Sequence, residues 1–177
     1  MKLQKSISFY LLIVLFLLSL VLFKQLVWNE YVVNLTESAA LEEQGEKGTI
    51  IGISNNKSLA IVTLEDGFRV YAISEGYFGW TITDEVYISS KIEDKPFNAK
   101  QTTLVFNDDT KLSLVLATTN NSEVTEMVAF QNNNTEIKLG KVPNHLTNLY
   151  YGYSEEPYSQ EIIFEAYSVE GNLLYRE

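Results

Sequence analysis

The only histidine in the chain, His145, is the first residue to consider for chemistry, because imidazole is a common general base and metal ligand. A single histidine cannot make a His-rich zinc site, and the chain has no cysteine to complete one. A Ser-His-Asp triad would have to use His145, yet no Gly-x-Ser-x-Gly segment is present. The sequence therefore predicts a loop histidine, with no catalytic residue, metal or cofactor.

Acidic residues cluster at two places. Asn107-Asp108-Asp109-Thr110 groups oxygen ligands as calcium needs, but it lacks the alternate spacing and terminal glutamate of an EF-hand loop. Turns between strands are rich in Asp and Asn for backbone reasons alone, so we expect a turn there. Glu155-Glu156 could pair with another acid for glycoside hydrolysis. A pocket with two facing acids beside the tyrosines would favour that activity.

Two aromatic groups are candidate binding surfaces. One is Tyr77-Phe78-Gly79-Trp80, and the other is Tyr150-Tyr151-Gly152-Tyr153 together with Tyr158. Aromatic side chains bind sugars or peptides when they are exposed on loops. The alternative, which we favour, places Phe78 and Trp80 in the core and the tyrosines half-buried at sheet ends. If exposed, the ligand-binding residues would be Tyr77, Trp80, Tyr150, Tyr151, Tyr153 and Tyr158.

The elements that must position these residues are short strands, because the apolar period from Gly48 onward is two. We predict one mainly β domain over residues 48–177, an antiparallel sandwich or partly open barrel. Residues 29–47 are predicted to be a juxtamembrane linker, with a possible short helix around Thr36–Gln44. The predicted strands are Thr49–Ser54, Ser58–Leu64, Phe68–Ile73, Trp80–Thr83, Glu85–Ser89, Thr102–Phe106, Lys111–Thr118, Glu123–Gln131, Thr135–Leu139, Glu161–Ser168 and Leu173–Arg176.

A continuous apolar run lies near the N-terminus. Ile7–Phe23 is seventeen residues long without a charge, which makes a helix of about 25 Å against a hydrocarbon core of ~30 Å. Lys24 can extend its amine to the interface, and Trp28 falls where interfacial aromatic residues are favoured. Residues 1–28 are therefore predicted to be an uncleaved transmembrane anchor that contacts the lipid bilayer through residues 7–28.

Two alternatives compete with the anchor as interpretations of this segment. A cleaved signal peptide normally has a shorter apolar run with a small-x-small site close behind. The only good triplet of that kind here is Ser38-Ala39-Ala40, well beyond the run, so cleavage would have to be late. A buried core helix fits poorly because the run has no polar face.

The distribution of charge predicts the orientation. Lys2 and Lys5 precede the apolar run, whereas all 23 acidic residues and ten of the 13 basic residues follow Trp28, which gives that part a net charge of −13. The positive-inside bias places the N-terminus in the cytoplasm and the β-rich domain outside the cell membrane. The acidic domain should repel nucleic acid, which we therefore exclude as a partner.

The segments Leu59–Phe68 and Glu75–Trp80 resemble a pattern in small extracytoplasmic proteins of low-GC Gram-positive bacteria. In those proteins an N-terminal anchor or signal precedes a strand pair and a Gly-x-Phe-Gly-Trp turn. The C-terminal stretch Phe164–Tyr175 is similar to their closing hairpin. The resemblance implies an extracytoplasmic location and a β-rich architecture, and it implies no catalytic residue.

The sequence predicts a non-enzymatic, membrane-tethered module that binds a peptide, a protein or a cell-envelope component. Its cytoplasmic tail is about six residues, so inward signalling would need another membrane or envelope protein as partner. The alternative from a different class is a cell-wall or sugar hydrolase that uses carboxylates. A structural or assembly role through the helix is a third possibility, although the helix has no small-xxx-small face for specific pairing.

Overall fold

Strands dominate the part of the chain that the computed structural model describes, and two helical segments precede them. Residues 13–22 are helical (α1) and Glu37–Glu43 form α2. Among these described residues, no helix combines the length and apolarity needed to cross a membrane. The rest of the predicted anchor, 1–12 and 23–28, lies outside the described residues, as does His145. The described ranges are 13–22, 34–92, 95–131, 135–143, 147–158 and 161–177.

The described strands form three four-stranded sheets in which every pairing is antiparallel, so the prediction of a mainly β, antiparallel fold is confirmed. In spatial order, sheet A contains β1 (Thr49–Ser54), β2 (Lys57–Thr63), β3 (Gly67–Gly76) and β4 (Gly79–Ser89). Sheet B contains β5 (Asn98–Val105), β6 (Lys111–Thr119), β10 (Asn148–Ser154) and β9 (Gly140–Val142). Sheet C contains β12 (Leu173–Arg176), β11 (Ile163–Tyr167), β7 (Glu126–Gln131) and β8 (Thr135–Ile137).

Sheet B is the middle layer, because its residues contribute to separate cores on its two faces. In β6, Leu112, Leu114 and Leu116 pack with apolar residues of sheet A. Val115 and Ala117, which alternate with these leucines along the strand, pack with residues of sheet C on the opposite face. Since successive side chains of a strand point to opposite faces, one strand can supply both cores. The burial of both faces of β6 follows directly from this position.

Sheets A and B meet along one side, where β4 and β5 lie next to each other without forming a shared ladder. The Thr83 hydroxyl donates a hydrogen bond to the backbone oxygen of Val105 (2.9 Å), and the Val105 N–H donates one to the Asp84 carboxylate (3.0 Å). Farther along the edge, the Asn98 amide donates to the backbone oxygen of Ser89 (3.2 Å). Side chains therefore close this side of the A–B layer.

Helix α2 covers the outer face of sheet A. The Thr36 hydroxyl caps its first turn by accepting a hydrogen bond from the N–H of Ala39, as threonine commonly does at this position. Ala40 and Leu41 are buried in a small core with residues of β2, β3 and β4, including Trp80. The segment predicted as a linker thus contains a helix that packs on the folded domain.

Most predicted strands match the structure, with differences at their ends. The two segments predicted on either side of Asp84 form the single strand β4, which has an irregularity opposite Ala72 and Ile73. The segment predicted to begin at Glu123 starts as a strand at Glu126. The sequence analysis missed β9 and β10, and the second omission bears on the candidate site.

Candidate functional site

Two of the six predicted ligand-binding residues lie in the core. Tyr150 is 3% exposed and packs between sheets B and C, and Trp80 is 8% exposed beneath helix α2. A ligand cannot stack on the face of a side chain that is this deeply buried. The structure thus corrects the assignment of these two residues to a binding surface and agrees with the core alternative for Trp80.

The remaining tyrosines of the second aromatic group do not form one platform either. Tyr151 packs against the core between sheets A and B, whereas Tyr158 packs against the core between sheets B and C. Burial raises the pKa of the Tyr158 hydroxyl to about 12, and that hydroxyl has no hydrogen-bond partner among the described residues. Only Tyr153 of this group exposes a large part of its ring. Tyr151 and Tyr153 share the face of β10 opposite Tyr150, whereas Tyr158 lies beyond the end of the strand.

The first aromatic group is exposed at the turn between β3 and β4. Tyr77 is fully exposed and Phe78 is 58% exposed. Gly79 begins β4 with a φ of 98°, a backbone conformation that glycine adopts readily. The expected burial of Phe78 in the core is therefore wrong, and the turn presents two aromatic side chains to the surroundings.

At one end of the packed sheets A and B, the turns of both sheets lie around a cleft, which we call the end cleft. The turns that meet here are β1–β2, β3–β4 and β5–β6, and β10 ends beside them. The cleft has a volume of about 320 Å³. Its walls combine apolar, cationic and acidic side chains: Ile53, Lys57, Phe106, Thr110, Lys111, Leu112 and Glu155.

Lys57 occupies the centre of this arrangement. Its amine lies 2.8 Å from an Asp108 carboxylate oxygen and 5.4 Å from the centre of the Phe106 ring. The side chain of Lys57 is only 17% exposed, so its cation is held against the cleft wall. The hydrogen bonds from Lys57 and from Thr110 lower the pKa of Asp108 to about 2. Asp108 is thus ionised at neutral pH and offsets the charge of Lys57.

A shallower cavity of about 570 Å³ borders the end cleft. Asn56 and Asn107, the chain neighbours of Lys57 and Phe106, line it together with Glu75, Gly76 and Tyr77. The backbone N–H of Glu75 donates a hydrogen bond to the backbone oxygen of Asn56 (2.9 Å), which ties the β3–β4 turn to the β1–β2 turn. Neighbouring residues at the β1–β2 and β5–β6 turns thus line both cavities.

A third cavity of about 470 Å³ lies between the β7–β8 and β9–β10 pairs. Tyr150 contributes to its wall, and the amine of Lys141 lies 5.3 Å from the centre of the Tyr150 ring. Glu126 and Glu136 also line this cavity. Glu136 pairs with Phe130, four residues along β7 from Glu126, so the two backbone positions are ~13 Å apart at about 3.3 Å per residue.

Two of the acids singled out in the sequence, Asp108 and Glu155, lie at the end cleft, and Asp108 belongs to a turn as expected. Asp108 accepts hydrogen bonds from the Thr110 backbone N–H (3.2 Å) and hydroxyl (2.6 Å), as in an Asx turn. Glu155 is on the cleft wall. Within the described ranges, no three Asp, Glu or His side chains come together in the way a metal ion would need.

The sequence analysis missed Lys57 and Phe106, because a lysine and a phenylalanine at strand ends carry no motif. The available signal was the position of both residues at predicted turns. No family model matches the chain, and neither a curated protein nor a solved structure matches it.

Proposed function

We propose that this chain is a membrane-tethered extracytoplasmic module that binds a peptide, a protein or a cell-envelope component, and that the end cleft is its ligand site. The single observation that supports this ligand site is the combination of residues that line the cleft. Ile53, which is half-buried, forms the apolar wall together with the buried Phe106 and Leu112, while the exposed Lys111 and Glu155 add opposite charges to the lining. Apolar walls with a few polar groups are typical of ligand sites.

The tether is supported by the N-terminal segment. The described helix 13–22 exposes apolar side chains in all directions, with Ser19 as its only polar residue. A helix without a polar face suits lipid better than water. Since the basic residues Lys2 and Lys5 precede this segment and the acidic residues follow it, the β-rich domain belongs on the outer side.

The charges of the cleft favour a ligand with groups of both signs next to an apolar one. Asp108 already neutralises Lys57, which leaves Lys111 as the second cation on the wall. A carboxylate of the ligand would pair with Lys111 and an amine with Glu155, while an apolar side chain or acyl segment contacts the half-buried Ile53. The neighbouring shallow cavity extends the surface, so an elongated ligand such as a peptide segment fits this end of the domain.

Photo-crosslinking in native membranes tests this site. A benzoylphenylalanine at position 111 should yield a discrete adduct, whereas the same group at Val169, an exposed residue of the β11–β12 turn, should not. Lys57→Gln removes the ion pair and the contact with Phe106, and it should weaken the adduct. Lys47→Gln, which changes an exposed lysine elsewhere, is the matched control. Identical patterns at 111 and 169 would refute the end cleft as the site.

The carboxylate hydrolase is a second candidate, favoured by one observation. Glu126 and Glu136 line the same cavity as Tyr150. Retaining glycosidases need carboxyl groups about 5 Å apart and inverting ones about 6.5–9.5 Å apart, so both side chains would have to turn toward each other from backbone positions that are farther apart. Release of sugar fragments from cell walls, abolished in both Glu126→Gln and Glu136→Gln, would establish this activity; no release would exclude it.

A further inference from the structure

Asn34, which follows the apolar segment in the sequence, packs against the β3–β4 turn. The N–H of Trp80 donates a hydrogen bond to the backbone oxygen of Asn34 (2.8 Å), and the Asn34 amide donates one to Glu43 of helix α2 (2.9 Å). Asn34 is 4% exposed, and its backbone fills the space that a Cβ at Gly79 would need. The point at which the chain enters the domain is therefore fixed against this turn.

The length of the connection limits how far this turn can be from the bilayer. Five residues lie between Trp28, where the predicted span ends, and Asn34, so the connection is six Cα–Cα steps long. A fully extended chain covers at most ~3.6 Å per residue, so Asn34 lies within ~20 Å of the end of the span. If the segment 7–28 crosses the bilayer, the β3–β4 turn is the part of the domain that is held next to the membrane surface.

Exposed apolar side chains are concentrated at this location. Leu35, which follows Asn34, is 81% exposed, and the turn adds the exposed rings of Tyr77 and Phe78. Tyrosine and other amphipathic aromatic side chains favour the headgroup region, where one end meets lipid and the other meets water. Exposing such side chains to water is unfavourable, and their transfer to a bilayer interface lowers the free energy.

We propose that Leu35, Tyr77 and Phe78, here called the membrane tip, insert into the headgroup region of the bilayer that holds the anchor. This inference rests on the proposed tether. It adds a second attachment point, which would fix the orientation of the domain relative to the lipid. Because the shallow cavity that includes Tyr77 borders the end cleft, the ligand site would then open close to the membrane surface.

The charges around the tip predict its lipid preference. Glu75 immediately precedes the turn, and Glu37 and Glu43 lie on the helix that follows Asn34. Anionic headgroups would repel these carboxylates over about a Debye length. The membrane tip should therefore insert more deeply in phosphatidylcholine than in vesicles rich in phosphatidylglycerol.

Fluorescence quenching by lipid tests the proposal in the full chain. The protein contains no cysteine, so single cysteines can be introduced at Tyr77, at Ser19 in the apolar segment and at Val169 as the exposed control. Each is labelled with an environment-sensitive fluorophore and reconstituted into phosphatidylcholine vesicles with spin-labelled lipid. We expect the labels at 19 and 77 to lose emission and the label at 169 to keep it.

The three positions separate the failure of the tether from the failure of the tip. Loss of emission at 19 without loss at 77 would overturn the membrane tip and leave the tether in place. No loss at 19 would overturn both. Energy transfer between labels at 77 in different copies, without lipid quenching, would mean that the tip packs on a second copy of the chain, which also contradicts the proposal. A further variant, Phe78→Ser, should reduce quenching at 77 without affecting quenching at 19.

Discussion

The amine of Lys57 and the carboxylate of Asp108 form an ion pair of 2.8 Å that joins two different sheets. Lys57 begins β2 of sheet A, and Asp108 lies in the turn between β5 and β6 of sheet B. The contact of the same amine with the Phe106 ring adds a second link across this boundary. The end cleft thus owes its shape to a contact between turns that are about fifty residues apart in the sequence.

Asp108→Asn should make stability less sensitive to acid. Because the pKa of Asp108 falls from 3.8 to about 2 on folding, its stabilising effect is complete above about pH 4 and is lost as the pH falls toward 2. We expect the difference in the free energy of unfolding between wild type and variant to be largest near neutral pH and to shrink between pH 4 and 2. Urea denaturation at several pH values measures it.

Asp109→Asn is the matched control for this experiment. Asp109 is the next residue of the same turn and has a φ of 61°, which asparagine tolerates as well as aspartate does. The variant should keep the acid sensitivity of the wild type. If both variants flatten the pH dependence equally, the ion pair with Lys57 is not its source.

Gly79→Ala should destabilise the domain because of the backbone of Asn34. The alanine would have to adopt a positive φ, and its Cβ would also overlap with the backbone oxygen of Asn34. We expect a loss of about 3 kcal/mol, compared with about 1 kcal/mol for Gly171→Ala, which has a φ of 78° but no atom within 4 Å of its Cβ position. Equal losses in thermal denaturation would show that Asn34 does not pack on the turn.

Tyr158→Phe should stabilise the protein. Its buried hydroxyl has no partner among the described residues, and an unsatisfied buried polar group costs about 1–3 kcal/mol. Burial disfavours the ionised form of this tyrosine and raises its pKa from 10 to about 12, so the unfolded state ionises first and stability falls as the pH rises from 10 toward 12. The variant should lack that alkaline decline, and urea denaturation at pH 9 and 11 distinguishes the two cases.

Leu114→Ala should be among the most damaging substitutions in the domain. Leu114 is completely buried at the centre of β6, where it packs with residues of sheet A. Removing a buried leucine side chain costs about 2–5 kcal/mol. Leu173→Ala, at a leucine that is about half exposed, should cost less than about 1 kcal/mol. Similar losses for the two variants would contradict the placement of β6 in the middle layer.

The sequence pattern predicts that one face of β6 is buried but does not indicate that the opposite face is buried too. Leu112, Leu114 and Leu116 alternate in a pattern that indicates a half-buried strand. The opposite face includes the buried Thr119, whose hydroxyl donates a hydrogen bond to the backbone oxygen of Pro96 (3.1 Å). A polar residue that is satisfied in this way can be buried, and the sequence does not reveal its distant partner. The three-layer arrangement therefore could not be predicted.

The candidate site was harder to predict than the fold. Tyr150 and Tyr151 lie on opposite faces of β10, which pairs with β6 more than thirty residues earlier in the chain. Because aromatic residues follow one another here, the sequence shows no alternation of apolar and polar residues that would indicate a strand. Lys57 and Asp108 meet only because sheets A and B pack together. Local patterns predict turns well, but contacts between turns depend on tertiary structure.

The central claim is that the β-rich domain lies outside the cell on an uncleaved N-terminal helix. A single cysteine at Val169 can be labelled in intact Gram-positive cells with a membrane-impermeant maleimide, followed by carbonate extraction and mass measurement. We predict a labelled protein of full-length mass that stays in the membrane fraction. Labelling only after lysis, or a soluble product that begins near Ala40, would contradict the account.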